Sequence, residues 1–134
     1  MAAGFKWAGS YDGSEPIKVK FVIADTVVVT KGMLLNLETG EADKGASNDE
    51  AFIGVATHDI DNTADGESVE AIINPGAIYA VDDANARLAG ATLDLGSDAK
   101  SVTTTSNADL IVYADSTASE PTLVCFNNTH YLKT

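Results

Sequence analysis

Residues 51–81 read AFIGVATHDIDNTADGESVEAIINPGAIYAV, and this stretch decides the fold class. It holds three short apolar runs, at 52–56 (FIGVA), 69–73 (VEAII) and 77–81 (AIYAV). An acidic loop ending in Asp65-Gly66 separates the first two, and Asn74-Pro75-Gly76 separates the second from the third. Apolar runs of about five residues closed by turn formers are strands, because helices need longer periodic segments. The Asp-Gly pair predicts a hairpin, since glycine tolerates the positive φ at which a chain reverses. The stretch reads as the core of a small β-barrel or sandwich and carries no catalytic signature.

Working outward, residues 17–24 (IKVKFVIA) alternate, with Ile17, Val19 and Phe21 on one side and Lys18 and Lys20 on the other. That is a strand with one buried face, and its lysines suit a guarded edge. Further strands are expected at 27–30, 33–37, 92–95, 101–105, 110–113 and 122–126, the 101–105 run (SVTTT) being polar enough for an edge. Residues 38–41 form a hairpin-like turn and 44–50 a polar loop, while 82–88 (DDANARL) make either one helical turn or a loop. Turns recur about every ten residues, so the expected fold is all-β. It is a single-domain barrel or sandwich over residues 17–134, with at most one short helix, preceded by an extended N-terminal arm at 1–16.

The arm (MAAGFKWAGSYDGSEP) is broken by glycine, serine and proline, yet holds Phe5, Tyr11 and the chain's only tryptophan, Trp7. Free tails are normally poor in aromatics. Two readings stay open. Phe5 and Trp7 fold back onto the chain's own core, or the arm buries its aromatics in a partner. As an anchor, its contact residues are Phe5, Lys6, Trp7 and Tyr11, with Lys18 and Lys20 of the strand that follows.

The 134 residues carry a net charge of −12, which argues against nucleic acid and anionic membranes as partners. The charge is uneven. Residues 1–31 set four lysines (Lys6, Lys18, Lys20, Lys31) against three acids (Asp12, Glu15, Asp25), a net of +1. The remainder sets four basic residues against seventeen acids. A lone cysteine, Cys125, excludes an intramolecular disulfide. Residues 1–7 lack a signal-peptide apolar segment, and no run approaches the roughly 20 residues that span a bilayer. The expectation is a soluble protein made in the cytosol.

The acidic loop at 59–67 is the best-looking metal candidate, because calcium needs several oxygen ligands. Set on the EF-hand pattern from Asp61, it matches at Asp65 and Gly66. It fails at Thr63 and at Ile72, where an acid is obligatory. A plain acidic hairpin loop is the better reading, and no metal site is assigned. His58 and His130 stand in no zinc spacing. Cys125 reads as a small buried hydrophobe, and it pairs with His130 as thiol and base only if folding brings the two together. No nucleophile elbow, phosphate loop or dinucleotide fingerprint is present, so neither a cofactor nor an enzymatic activity is expected.

From Lys31 to Phe126 the ordered phrases resemble the small β-rich head decoration, or capsid cement, proteins of tailed bacteriophages. Lys31-Gly32-Met33-Leu34 opens the domain, and Phe52-Ile53-Gly54-Val55-Ala56 follows a polar loop. Asp65-Gly66 precedes a strand, and Pro75-Gly76-Ala77-Ile78-Tyr79 begins the next. Ala89-Gly90-Ala91-Thr92-Leu93 then leads to Gly96 and a Val-Thr-Thr strand. The resemblance implies a β-barrel or β-tulip protein, made in the host cytoplasm and carried on the outer surface of the virion's capsid. It also implies a homotrimer, or a dimer, that clamps major capsid protein subunits, with the N-terminal arm reaching over them. Deleting residues 1–16 is then expected to leave a folded barrel that no longer binds capsids. The alternative is a carbohydrate- or receptor-binding β-domain of a phage tail or surface structure, which calls for exposed aromatics beside carboxylates or amides. Tyr79, Tyr113 and Phe126 lie in apolar runs and read as core instead.

Overall fold

A computed structural model describes residues 4–10, 13–23, 27–38, 40–46, 52–61, 67–74, 76–104 and 109–126. Two antiparallel sheets face each other, and the described residues contain no helix. The six-stranded sheet has the order β1 (Lys6–Ser10), β9 (Ala77–Val81), β13 (Thr122–Phe126), β12 (Leu110–Val112), β10 (Thr92–Leu95), β11 (Val102–Thr104). The five-stranded sheet has the order β2 (Lys18–Val22), β8 (Ser68–Ile72), β6 (Phe52–Ala56), β4 (Leu34–Glu38), β5 (Glu41–Lys44). A short ribbon pairs β3 (Val28–Val29) with β7 (Ile60–Asp61).

The three apolar runs that decided the fold class divide between the sheets. Strands β6 and β8 pair antiparallel, Val55 opposite Ile72, as a hairpin between them requires. Residues 62–66, which hold Asp65-Gly66, lie outside the described residues. The Asn74 turn is instead a corner that carries the chain into the other sheet, the Ala77 amide donating to the Asn74 carbonyl at 3.1 Å. Side chains from both sheets then meet between them. Tyr79 stacks on Phe126 with centroids 5.2 Å apart, and Phe52 of the facing sheet lies 6.3 Å from the same ring. The Tyr79 hydroxyl donates to the Ile72 carbonyl at 3.2 Å, which joins the sheets by a polar contact inside the core. Burial pushes the Tyr79 phenol far above its ordinary value, so it stays a neutral donor.

The sandwich form of the expected fold is the one adopted. The five-stranded sheet curls until its edges touch at one parallel bridge, Ile23 to Ala42, which falls short of closing a barrel. Residues 82–88 form a loop and not a helical turn, because Arg87 is drawn into an antiparallel bridge with Ser116. The one buried face expected at 17–24 is found only at its far end among the described residues: Phe21 packs on the core and Ile23 is buried, while Ile17 (50 % exposed) and Val19 (38 %) stand exposed with the lysines. The reason is position, since β2 is an edge strand that overhangs the core. Tyr113, expected inside, is 45 % exposed because β12 ends at Val112.

A lysine-rimmed groove as candidate functional site

The N-terminal residues fold onto the sandwich. The Phe5 amide donates to the Gly32 carbonyl at 2.8 Å, and the Phe5 ring is buried to 2 % exposure within the core. Gly4, at φ +85°, lies so close to Gly32 that any side chain there would strike that residue's backbone. Residues 6–10 continue as β1, paired to β9 with Trp7 opposite Tyr79. Fold-back, the first of the two readings of Phe5 and Trp7, is what these contacts describe. The register slips between Trp7 and Gly9, a bulge that adds twist at the sheet's edge.

From β1 the chain crosses to the other sheet through residues 13–17, and Asn74 holds this crossing. Its buried side chain accepts from the Ile17 amide at 2.7 Å and donates to the Glu15 carbonyl at 2.9 Å and the Ser14 hydroxyl at 3.3 Å. The Ile73 amide donates to the Ile17 carbonyl at 2.9 Å. These bonds set where β2 begins, and so where Lys18 stands.

Between β1 and β2, the edge strands of the two sheets, runs a groove of about 360 Å³. Val55, Ile72 and Phe5 make its apolar floor, with Trp7 beside them. Lys6, Lys18 and Lys31, all exposed, stand around it. These are three of the chain's eight basic residues, in a molecule of net charge −12. Among the described residues none of the three forms an ion pair, the one such pair being Arg87–Asp83. Glu70 accepts from the Thr57 hydroxyl at 3.0 Å, and Asp59 from the Lys31 amide at 2.7 Å.

Of the residues expected from sequence to form a contact face, Phe5, Lys6, Trp7 and Lys18 come together here. Lys20 lies farther along β2, opposite Glu70 and outside the groove. Tyr11 lies outside the described residues. Sequence reasoning missed Lys31, Val55 and Ile72 as parts of this site. Lys31 did contribute to the basic excess of residues 1–31, but nothing local joined it to Lys6 and Lys18.

The loops at 82–88 and 113–121 are held by their own acids. Asp83 bonds Arg87 at 2.6 Å and accepts from the Asn85 amide at 3.2 Å. Burial pushes its carboxyl up, but Arg87, that amide and Thr122 outweigh burial and hold it below its ordinary value. Asp115 accepts from the Ala89 amide at 2.8 Å, and Glu120 from the Thr117 amide at 2.9 Å. These carboxylates are spent on loop geometry. Cys125 is buried in β13, and His130 lies outside the described residues. His58 accepts from the Glu70 amide through Nε2 at 3.1 Å.

No known family model matches the chain, and no curated protein matches it. Among solved structures it is similar to the N base of the head fiber protein gp8.5 of bacteriophage phi29, with a TM-score of 0.55. The two are 18% identical, and the match covers 84% of this chain and 97% of that one. The likeness is one of fold.

Proposed function

We propose that this chain is a structural protein of a bacteriophage head, bound to the outer surface of the capsid. The observation that carries the reading is the fold shared over nearly the whole length of a head fiber base. The phrase-by-phrase resemblance to head decoration proteins points the same way. In this reading the chain acts as a cement protein, as a homotrimer that stabilises contacts between major capsid protein subunits. The N-terminal face makes the contact, through Lys6, Trp7, Lys18 and Lys20 on β1 and β2. Phe5 supports that face from beneath. Three such faces on one oligomer would gain about 10²–10⁴ in avidity over one.

Removal of residues 1–16 does not test this cleanly, since it takes Phe5 from the core and β1 from its sheet. The test is co-sedimentation of the purified protein with expanded heads that lack it. Saturable binding, abolished by reversing the charge of Lys18 and Lys20, is the expected result. Failure of the unaltered protein to sediment with such heads would sink the proposal. A carbohydrate- or receptor-binding domain has one observation in its favour, the half-exposed ring of Tyr113, and a glycan array distinguishes it.

A further inference from the structure

The groove between β1 and β2 has a chemistry that specifies its occupant more narrowly than a capsid surface. We infer that it takes an extended, acidic segment of a partner protein, with carboxylates reaching the lysines and an apolar side chain resting on the floor. The inference rests on the reading of this face as the partner contact.

Four observations carry it. First, Lys6, Lys18 and Lys31 approach one groove from three separate segments, and none has a carboxylate partner among the described residues. Three ammonium groups around a low-dielectric floor attract carboxylates more strongly than the same charges spread over a surface. Second, half-buried Trp7 and the Ile72 side chain, over the buried Val55 and Phe5, offer apolar contact, which an ion alone would not use. Third, one wall is an edge strand: in its sheet β1 pairs only with β9, while β2 contributes Lys18 alone to the other side. A segment in extended conformation can lie along such an edge and project alternate side chains into the groove. Fourth, the rest of the chain carries the opposite charge, so an acidic segment is repelled elsewhere and drawn to this face. Lysines on edge strands also prevent unwanted pairing. That role alone would not account for Lys31, which lies in a turn outside either strand.

Trp7 is the chain's only tryptophan and lines the groove, so its emission reports occupancy directly. The probe is a seven-residue peptide of alternating Glu and Leu, blocked at both ends, titrated into the full chain. Peptides with Gln or Lys in place of Glu serve as controls. The expected result is a saturable change in Trp7 emission with the Glu peptide alone, weakened about tenfold or more when salt rises enough to shorten the Debye length to about 3 Å. The double variant Lys6→Glu, Lys18→Glu should lose the response, and Lys6→Arg, Lys18→Arg should keep it, with unfolding curves confirming that both fold. Equal binding of the Gln or Lys peptide, no response to the Glu peptide, or an unchanged response in the Glu variant each overturns the inference. Head co-sedimentation separates this failure from that of the proposed function. Heads bound equally by the unaltered protein and the Lys6→Glu, Lys18→Glu variant would leave the capsid role standing and remove the acidic-segment site.

Discussion

The indole of Trp7 meets the ring of Tyr79 edge-on, with centroids 6.2 Å apart and planes at 81°. Because Tyr79 also stacks on Phe126 and bonds the Ile72 carbonyl, this contact links the groove's wall to the centre of the sandwich. Strand β1 is therefore held by aromatic packing at Trp7 and by full burial at Phe5. The two residues predict different outcomes. Phe5→Ala should cost about 3–5 kcal/mol, the usual range for emptying a buried aromatic site. Trp7→Ala, at a partly covered position, should cost less, including the roughly 0.5–1.5 kcal/mol of the aromatic pair. Urea unfolding followed by circular dichroism ranks them. A Trp7 cost equal to that of Phe5 would mean that β1 hangs on the indole.

Gly54 is the second test, and it probes the phrase Phe-Ile-Gly-Val-Ala in β6. A Cβ on Gly54 would fall on the Ile72 carbonyl oxygen, far inside contact distance. That oxygen belongs to paired β8 and also receives the Tyr79 hydroxyl, so it has no room to retreat. Gly54→Ala should destabilise by about 3 kcal/mol or more, at the upper end of what overpacking costs. Thermal unfolding measures it, and a shift too small to resolve would show that the strands can separate locally.

Much of this scaffold was legible in the chain, and the failures share a cause. Strands β6, β9, β10 and β13 fall on the residues expected, because each is an apolar run between turn formers. Strand β1 was not foreseen as a strand. Gly4, Gly9 and Ser10 read as breakers, and what makes it a strand is distant: the Gly32 carbonyl, the Tyr79 ring and pairing to β9. Strand β5 (EADK) is polar except for Ala42, the residue that meets Ile23 where the sheet curls. The groove follows the same rule. Phe5, Lys6, Trp7 and Lys18 stood out by composition. Val55 and Ile72 looked like ordinary strand residues, and only the crossing of the chain between sheets puts them beneath the lysines.

Acid should weaken the fold through Asp83. Its side chain is 4 % exposed, and the bonds from Arg87, Asn85 and Thr122 hold its carboxyl below the ordinary aspartate value of about 3.9 despite burial. A depressed folded value means that the stabilisation is complete above the unfolded value and is lost as pH falls through the folded one. Asp98 adds to the same window. Burial pushes its carboxyl up, but the Lys100 amide, the Ser101 hydroxyl and the charge of Lys44 hold it low. The midpoint of thermal unfolding should therefore drop as pH falls below the ordinary aspartate value of about 3.9, and the drop should be smaller in Asp83→Asn, which is already weakened at pH 7. An equal drop in both proteins would show that Asp83 does not titrate with folding.

Asn74 tests whether the groove is positioned by the chain crossing or merely lies beside it. One buried amide satisfies three groups of residues 14–17, through both its oxygen and its nitrogen. Asn74→Ala leaves the Ile17 amide and the Glu15 carbonyl without these bonds, at a cost of about 1–3 kcal/mol for each group that stays buried. Asn74→Asp keeps the acceptor for Ile17 but sets a carboxylate oxygen against the Glu15 carbonyl, so it should recover only part of the loss. Hydrogen exchange separates local from global effects. In Asn74→Ala the Ile17 and Ile73 amides should exchange faster, because the first donates to Asn74 and the second to the Ile17 carbonyl, while amides of β12 and β13 keep their order of protection. If Lys18 is placed by this crossing, acidic-peptide binding should weaken in the same variant with Trp7 emission unchanged in the free protein. Undiminished binding alongside faster exchange would show that β8 alone sets the position of β2.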